Sequence, residues 1–210
     1  MQCDNSNIRL GVLALQGGFQ KHIAMLQRIG CSVTAVKESA DLTDLHGLLI
    51  PGGESTTIGM LMERFGVLLP LRAAISTGFP VFGTCAGAIL LADRVENSSQ
   101  ITIGGLPVTV RRNAYGRQIE SFETDLQIRT IAEQYPQRGV FIRAPQIIAY
   151  DDTVTVLSTY ENSPVVVRHG NLLAATFHPE LTNDDRLHTY FALQIAANWA
   201  QSHTPRTNIR

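Results

Sequence analysis

Apolar residues recur along the chain in two rhythms. Short unbroken apolar runs mark buried strands, and longer stretches with 3.6-residue spacing mark helices. Residues 8–15 read as a first buried strand and Gln16-Gly17-Gly18 as the turn that ends it. Residues 19–29 carry Ile23, Leu26 and Ile29 at helical spacing, and Gly30 stands where a helix commonly ends in a left-handed residue. Further strands are expected at 32–36, 48–50 and 79–82, with helices at 58–65, 68–77 and 86–92. Strands alternating with helices predict an α/β fold built on an open, mostly parallel sheet with flanking helices.

Beyond residue 92 the rhythm changes. Stretches at 101–110, 118–123, 140–143, 153–160, 165–168 and 172–177 are short and strand-like, separated by turns such as His169-Gly170-Asn171. They are expected to add antiparallel strands to the sheet. A last helix is expected over residues 183–201, opened by Thr182 and Asp185 in the manner of a capping box. The polar residues 1–7 and 202–210 read as tails around a single domain over residues 8–201.

Composition narrows the class. The chain has 210 residues, 44% of them hydrophobic and 17% charged, enough for one well-buried core, and a net charge of -1 leaves no basic footprint for nucleic acid. No apolar run reaches membrane-spanning length, and the start lacks the apolar core of a signal peptide. Three cysteines (Cys3, Cys31 and Cys85) form an odd, sparse set that suggests a reducing compartment, hence the cytoplasm. Cys3 falls in the tail, and Cys31 is expected to pack at the start of the second strand.

The strongest chemical signal is Gly83-Thr84-Cys85-Ala86-Gly87, between an apolar strand and an apolar helix. It is the thiol counterpart of the Gly-x-Ser-x-Gly nucleophile elbow. Side chains at Gly83 or Gly87 would crowd the neighbouring strand or helix. Cys85 then sits at the tip of the turn, beside the positive end of the helix dipole, which favours the reactive thiolate. Thr176-Phe177-His178-Pro179-Glu180 supplies the complement: a base and an acid two residues apart, which point the same way in extended backbone. A nucleophile, a base and a group that orients the base are what a triad needs. Gly52-Gly53-Glu54-Ser55-Thr56-Thr57 lacks the Gly-Lys-Ser/Thr core of a phosphate loop, which argues against nucleotide binding. No metal-ligand spacing stands out among the six histidines and three cysteines, so neither metal nor cofactor is expected. His22 reads as structural or as an interface residue, and His188 and His203 as solvated.

Six motifs in order carry a resemblance. They are Leu15-Gln16-Gly17, Pro51-Gly52-Gly53-Glu54-Ser55-Thr56-Thr57, the Cys85 elbow, Arg112-Asn113-Ala114-Tyr115-Gly116-Arg117-Gln118, Phe141-Ile142-Arg143-Ala144-Pro145 and Phe177-His178-Pro179-Glu180-Leu181-Thr182, and the resemblance runs over residues 8–199. Together they resemble the glutaminase subunits of pyridoxal 5′-phosphate synthases, within the triad-type (class I) glutamine amidotransferases. The resemblance implies hydrolysis of L-glutamine to L-glutamate and ammonia by Cys85, His178 and Glu180 through a glutamyl thioester. The ammonia would pass to a separate synthase subunit in a large hetero-oligomer. It also implies a glutamine pocket from Gly53, Glu54, Ser55, Arg112, Ile142 and Arg143. Backbone N–H groups of Ala86 and of Gly52 or Gly53 would form the oxyanion hole. Gln16, Gly17, Gly18 and His22 are the expected partner-facing residues. Glu54 reads either as a helix cap or as an ammonium ligand, and Ser55-Thr56-Thr57 as capping residues.

Two rival readings differ in their motifs. A glutaminase serving another biosynthetic synthase would not need the 112–118 and 141–145 motifs. A cysteine-elbow stress protein would place a carboxylate after the first strand and a histidine after the cysteine, where this chain has Gln16 and Ala86.

Overall fold

The first strands are apolar on both faces because both faces are covered. Along β1 (Arg9–Leu13), Leu10 and Val12 enter one core while Leu13 enters the other. In β3 (Gly47–Ile50), Leu48 and Ile50 face the second core and Leu49 the first. β4 (Val81–Thr84) repeats the alternation with Val81 and Phe82. The computed structural model describes residues 7–112 and 121–203.

Within those residues, seven strands form one sheet in the order β10-β11-β12-β4-β3-β1-β2. β2 (Ser32–Val36), β1, β3, β4 and β12 (Leu172–Ala175) run parallel, and β12 registers Leu172 opposite Val81 and Ala175 opposite Thr84. β11 (Ser163–His169) and β10 (Thr155–Tyr160) continue the edge antiparallel. α1 (Phe19–Arg28) covers one face, while α2 (Ser55–Arg64), α3 (Leu68–Ser76) and α4 (Ala86–Leu91) lie against the other core.

The expected antiparallel additions divide. Only β10, β11 and β12 join the main sheet, and β12 runs antiparallel to β11 but parallel to β4. β5 (Ala92–Val95), β6 (Leu106–Arg111) and β9 (Gln146–Tyr150) form a three-stranded sheet, and β7 (Ser121–Ile128) pairs with β8 (Ala132–Ile142). The hairpin is tied to the core by aromatic packing. Phe122 stacks on Phe141 at 4.5 Å, and Phe141 meets Phe177 at 5.3 Å.

The last helix starts later than expected. The Thr182 Oγ1 accepts from the Asp184 N–H at 3.2 Å, and the Asp184 carboxylate accepts from the Arg186 N–H and Nε, closing a local turn. The capping box therefore does not form; Asp185 faces Arg28 instead, at 3.6 Å. α5 (Arg186–Tyr190) runs through a π-helical segment at Phe191–Ala196 into α6 (Ala197–His203). Among the described residues, no helix is long and apolar enough to cross a membrane.

Candidate active site

The carboxyl ends of β1, β3 and β4 carry the three turns singled out in the sequence, where open α/β sheets gather ligands. Cys85 follows β4 directly and holds φ 48°, a left-handed conformation that is costly for a residue with a Cβ. Its backbone is pinned on both sides. The N–H donates to the Ala175 carbonyl at 2.8 Å, and its carbonyl accepts from Ala88 and Ile89 at the start of α4. The flanking glycines have the predicted steric role. A Cβ on Gly83 would lie 2.5 Å from the Gly87 carbonyl, and one on Gly87 would collide with the Ile50 carbonyl.

His178 reaches the cysteine by a route the sequence did not predict. The backbone after it is not extended, because Pro179–Leu181 form a 3₁₀ turn. The turn still brings the two side chains together, with His178 Nδ1 2.7 Å from Glu180 Oε1. The His178 N–H donates to the Val140 carbonyl at 2.8 Å, so β8 anchors the segment. β8 also places the Ile142 carbonyl 3.9 Å from the Cys85 sulfur.

Gly52 lies between nucleophile and base. A Cβ there would fall on the His178 ring, 2.9 Å from Nδ1, and 3.3 Å from Cys85 Cβ. The Gly52 carbonyl accepts from the Gly18 N–H at 2.9 Å, and Gln16 Oε1 accepts from the Glu54 N–H at 2.9 Å. Two hydrogen bonds thus link the exposed Gln16-Gly17-Gly18 turn to the Gly52-Gly53-Glu54 loop.

Burial alone would lower the His178 pKa from its ordinary 6.5, but hydrogen bonds with Cys85 and Glu180 outweigh it and raise the value to about 10. Burial would likewise raise Glu180, yet hydrogen bonds with His178 and then His22 hold its carboxyl well below the ordinary range. The arrangement suits an imidazolium beside a thiolate, oriented from behind by a carboxylate.

The expected glutamine-binding residues fall into two groups. Glu54, Ser55 and Arg112 are joined: Arg112 Nη2 donates to Glu54 Oε1 at 2.7 Å. Gln100 Oε1 accepts from Arg112 Nη1 at 3.0 Å and from the Ser55 hydroxyl at 3.2 Å. Glu54 itself caps α2, accepting from the Thr56 N–H and hydroxyl, so the cap is the carboxylate rather than the Ser55-Thr56-Thr57 run. The Thr56 hydroxyl, with Arg112, holds the Glu54 carboxyl below its ordinary range. Ile142 and Arg143 form the second group at the end of β8, both exposed, with Arg143 at φ 47°. Gly53 packs against Gln16 and Gly17. Residues 113–118 of the fourth motif lie outside the described residues.

The match to a family model covers residues 12–197, described as the SNO glutamine amidotransferase family. The chain belongs to that family. A pyridoxal 5′-phosphate synthase subunit PdxT from Carboxydothermus hydrogenoformans is 47% identical over 188 residues, 90% of this chain and 98% of the relative. The PdxT subunit of Kosmotoga olearia is 48% identical over 189 residues, again 90% and 98%. A crystal structure of a glutamine amidotransferase superposes with TM-score 0.85 at 45% identity, covering 90% of this chain and 98% of that one. The SNO family assignment and the doubly covered parallel sheet agree.

Two sequence expectations are corrected. His22 is fully buried, so it is not a side chain on a docking surface, and His188 is fully buried rather than solvated. His22 Nδ1 lies 2.8 Å from His188 Nε2, and His22 Nε2 lies 3.3 Å from Glu180 Oε2. Gly17 and Gly18 are exposed, and Gln16 is half-buried. Gln100 and Thr84 belong to the site's hydrogen-bond networks and were not anticipated. Thr84 stands inside the elbow motif without a role of its own there and Gln100 lies in no motif; each role becomes legible only when distant elements meet.

Proposed function

We propose that this chain is the glutaminase of a pyridoxal 5′-phosphate synthase. It hydrolyses L-glutamine to L-glutamate and ammonia and hands the ammonia to a synthase subunit. The observation that carries this reading is the meeting of Cys85, His178 and Glu180 around Gly52 in a chain of the SNO family.

The Cys85 thiolate attacks the side-chain carbonyl of glutamine, and the carbon–sulfur bond forms as the carbonyl electrons move onto oxygen. Backbone N–H groups receive that oxyanion: Ala86 at the start of α4, and a donor from the Gly52-Gly53 turn. His178 gives its proton to the leaving ammonia, and the carbon–nitrogen bond breaks to leave a γ-glutamyl thioester. The now neutral imidazole takes a proton from water, whose hydroxide attacks the thioester. Glutamate leaves and the thiolate–imidazolium pair is restored. Glu180 keeps the ring oriented throughout. Arg112 binds the substrate α-carboxylate, sharing its guanidinium with Glu54. Ile142 and Arg143 close the pocket from the end of β8.

The partner faces the exposed Gln16-Gly17-Gly18 turn. In a trans peptide the carbonyl and the following N–H point opposite ways. The Gly18 bond to the Gly52 carbonyl therefore fixes where the Gly53 N–H points. Docking at the turn resets that bond and completes the oxyanion hole. The chain works in the cytoplasm, in keeping with the free thiols of Cys31 and Cys85.

Ammonia release from glutamine, measured with and without the synthase subunit, tests both parts. The expected result is strong activation by the synthase and no turnover above background in Cys85→Ala. Appreciable turnover by a folded Cys85→Ala protein at saturating glutamine overturns the nucleophile assignment.

A further inference from the structure

Behind Glu180 the polar chain continues inward. Glu180 turns Oε1 to His178 and Oε2 to His22 Nε2, which lies 3.3 Å away on α1. That contact is an ion-pair distance rather than a hydrogen bond, and Oε2 is otherwise buried without a hydrogen-bond partner; Nε2 also lies 3.2 Å from the Thr84 hydroxyl. His22 Nδ1 in turn meets His188 Nε2 of α5 at 2.8 Å. Both histidines are fully buried, and the Glu180 side chain is only 2% exposed.

The protons in this chain have one consistent arrangement. His188 Nδ1 is buried with no partner, so a proton there would be an unmatched donor. The His188 proton therefore sits on Nε2 and is donated to His22 Nδ1. That leaves the His22 proton on Nε2, aimed between Thr84 and the carboxylate. In the opposite tautomer a bare nitrogen lone pair would face a carboxylate oxygen, which is repulsive. Burial holds His188 well below its ordinary pKa, which keeps it neutral.

We propose that His22, set in one tautomer by His188, is a positioning residue that locks the Glu180 carboxylate toward His178. The proposal rests on the triad reading of Cys85, His178 and Glu180. Its physical basis is that a carboxylate held through one oxygen can still rotate. The Nε2–H edge of His22 close to the second oxygen restrains its plane, and removing it would leave that buried oxygen without this compensation. The groups that bear on this chain are Cys85 at the elbow, His178 and Glu180 at the 3₁₀ turn, His22 on α1, His188 on α5 and, at longer range, Arg28.

The experiment compares His22→Leu, His22→Gln and His188→Leu in the synthase-bound protein, with glutamine kinetics, and in the free chain, with NMR titration of the His178 ring. His22→Leu should lower kcat by roughly 10- to 100-fold, the scale for groups that orient a reacting side chain. KM should stay within about twofold, since substrate contacts are untouched. The His178 ring should titrate at lower pH, because its carboxylate partner is less firmly held. His22→Gln, whose amide N–H can take the place of Nε2–H, should recover most of the kcat. A folded His22→Leu protein with parental kcat and parental His178 titration overturns the proposal. If His22→Leu does not fold, His188→Leu decides: an unchanged His178 titration there overturns it, and a downward shift supports it. Failure of the triad reading is distinct, because then Cys85→Ala itself would turn over.

Discussion

Cys85 and Glu180 set the charge of His178. The imidazole stands at about 10 because hydrogen bonds with Cys85 and Glu180 together outweigh the penalty of burying a cation. Cys85→Ala removes one of the two raising partners, so the His178 ring should titrate at lower pH in that variant than in the parent. Ring signals followed by NMR across the alkaline range would check this; an unchanged titration would mean that the sulfur does not face the ring. The direction for activity follows from the same shift. In the proposed mechanism His178 must be protonated to release ammonia, so the rate should fall as pH rises toward 10. Glu180, held well below its ordinary 4.5, should contribute no acid limb near neutrality. Cys85, His178 and Glu180 were legible in the sequence because glycine spacing and a His-Pro-Glu run are local signals. Thr84, Gln100 and His188 were not, because each acts through a neighbour 12 to 166 residues away.

At the scale of elements, β8 governs the site although it lies outside the main sheet. It holds the His178 backbone through Val140 and places Ile142 beside the sulfur. Phe141, buried between Phe122 and Phe177, fixes β8 in place. Phe141→Ala should therefore cost about 3–5 kcal/mol of stability by chemical denaturation. It should also depress kcat in protein that remains folded. Loss of stability with unchanged kcat would show that the hairpin does not position His178. The elements themselves were unequally legible. β1 to β4 and α1 to α3 were read within a few residues, because doubly covered strands and amphipathic helices have strong patterns. β9 was missed, since most of its residues are partly or fully exposed and its pattern lacks an apolar run. β5 is not legible in the sequence: Ala92 continues the apolar stretch of α4, and the polar Asp93 and Arg94 that follow break any strand pattern. The start of α5 was misplaced because Asp184 and Arg186 compete for the turn that Thr182 was expected to cap.

Across the whole molecule, the order of strands has a consequence for biosynthesis. β4 leads into Cys85, the proposed nucleophile, and lies between β3 and β12. Its β3 side is supplied early in the chain, whereas β12 and His178 come from far downstream. While a ribosome makes the intervening stretch of about 90 residues, a matter of roughly 5 to 20 seconds, β4 remains an unpaired edge. The nascent chain accordingly holds a reactive thiol with no base, and it cannot release ammonia before its last strand docks. Refolding should show the same order. The Leu48 N–H donates across the β3 side, to the Pro80 carbonyl, whereas the Val81 and Cys85 N–H groups donate to Asn171 and Ala175 on the β12 side. Pulse-labelled hydrogen exchange should find Leu48 protected first, with Val81 and Cys85 protected later, in the same phase that restores glutamine hydrolysis. Simultaneous protection of all three amides, ahead of activity, would show that the last strand docks early and that the delay in chemistry lies elsewhere. With the expected order, an edge that invites aggregation during synthesis is also what keeps an unfinished chain from consuming glutamine.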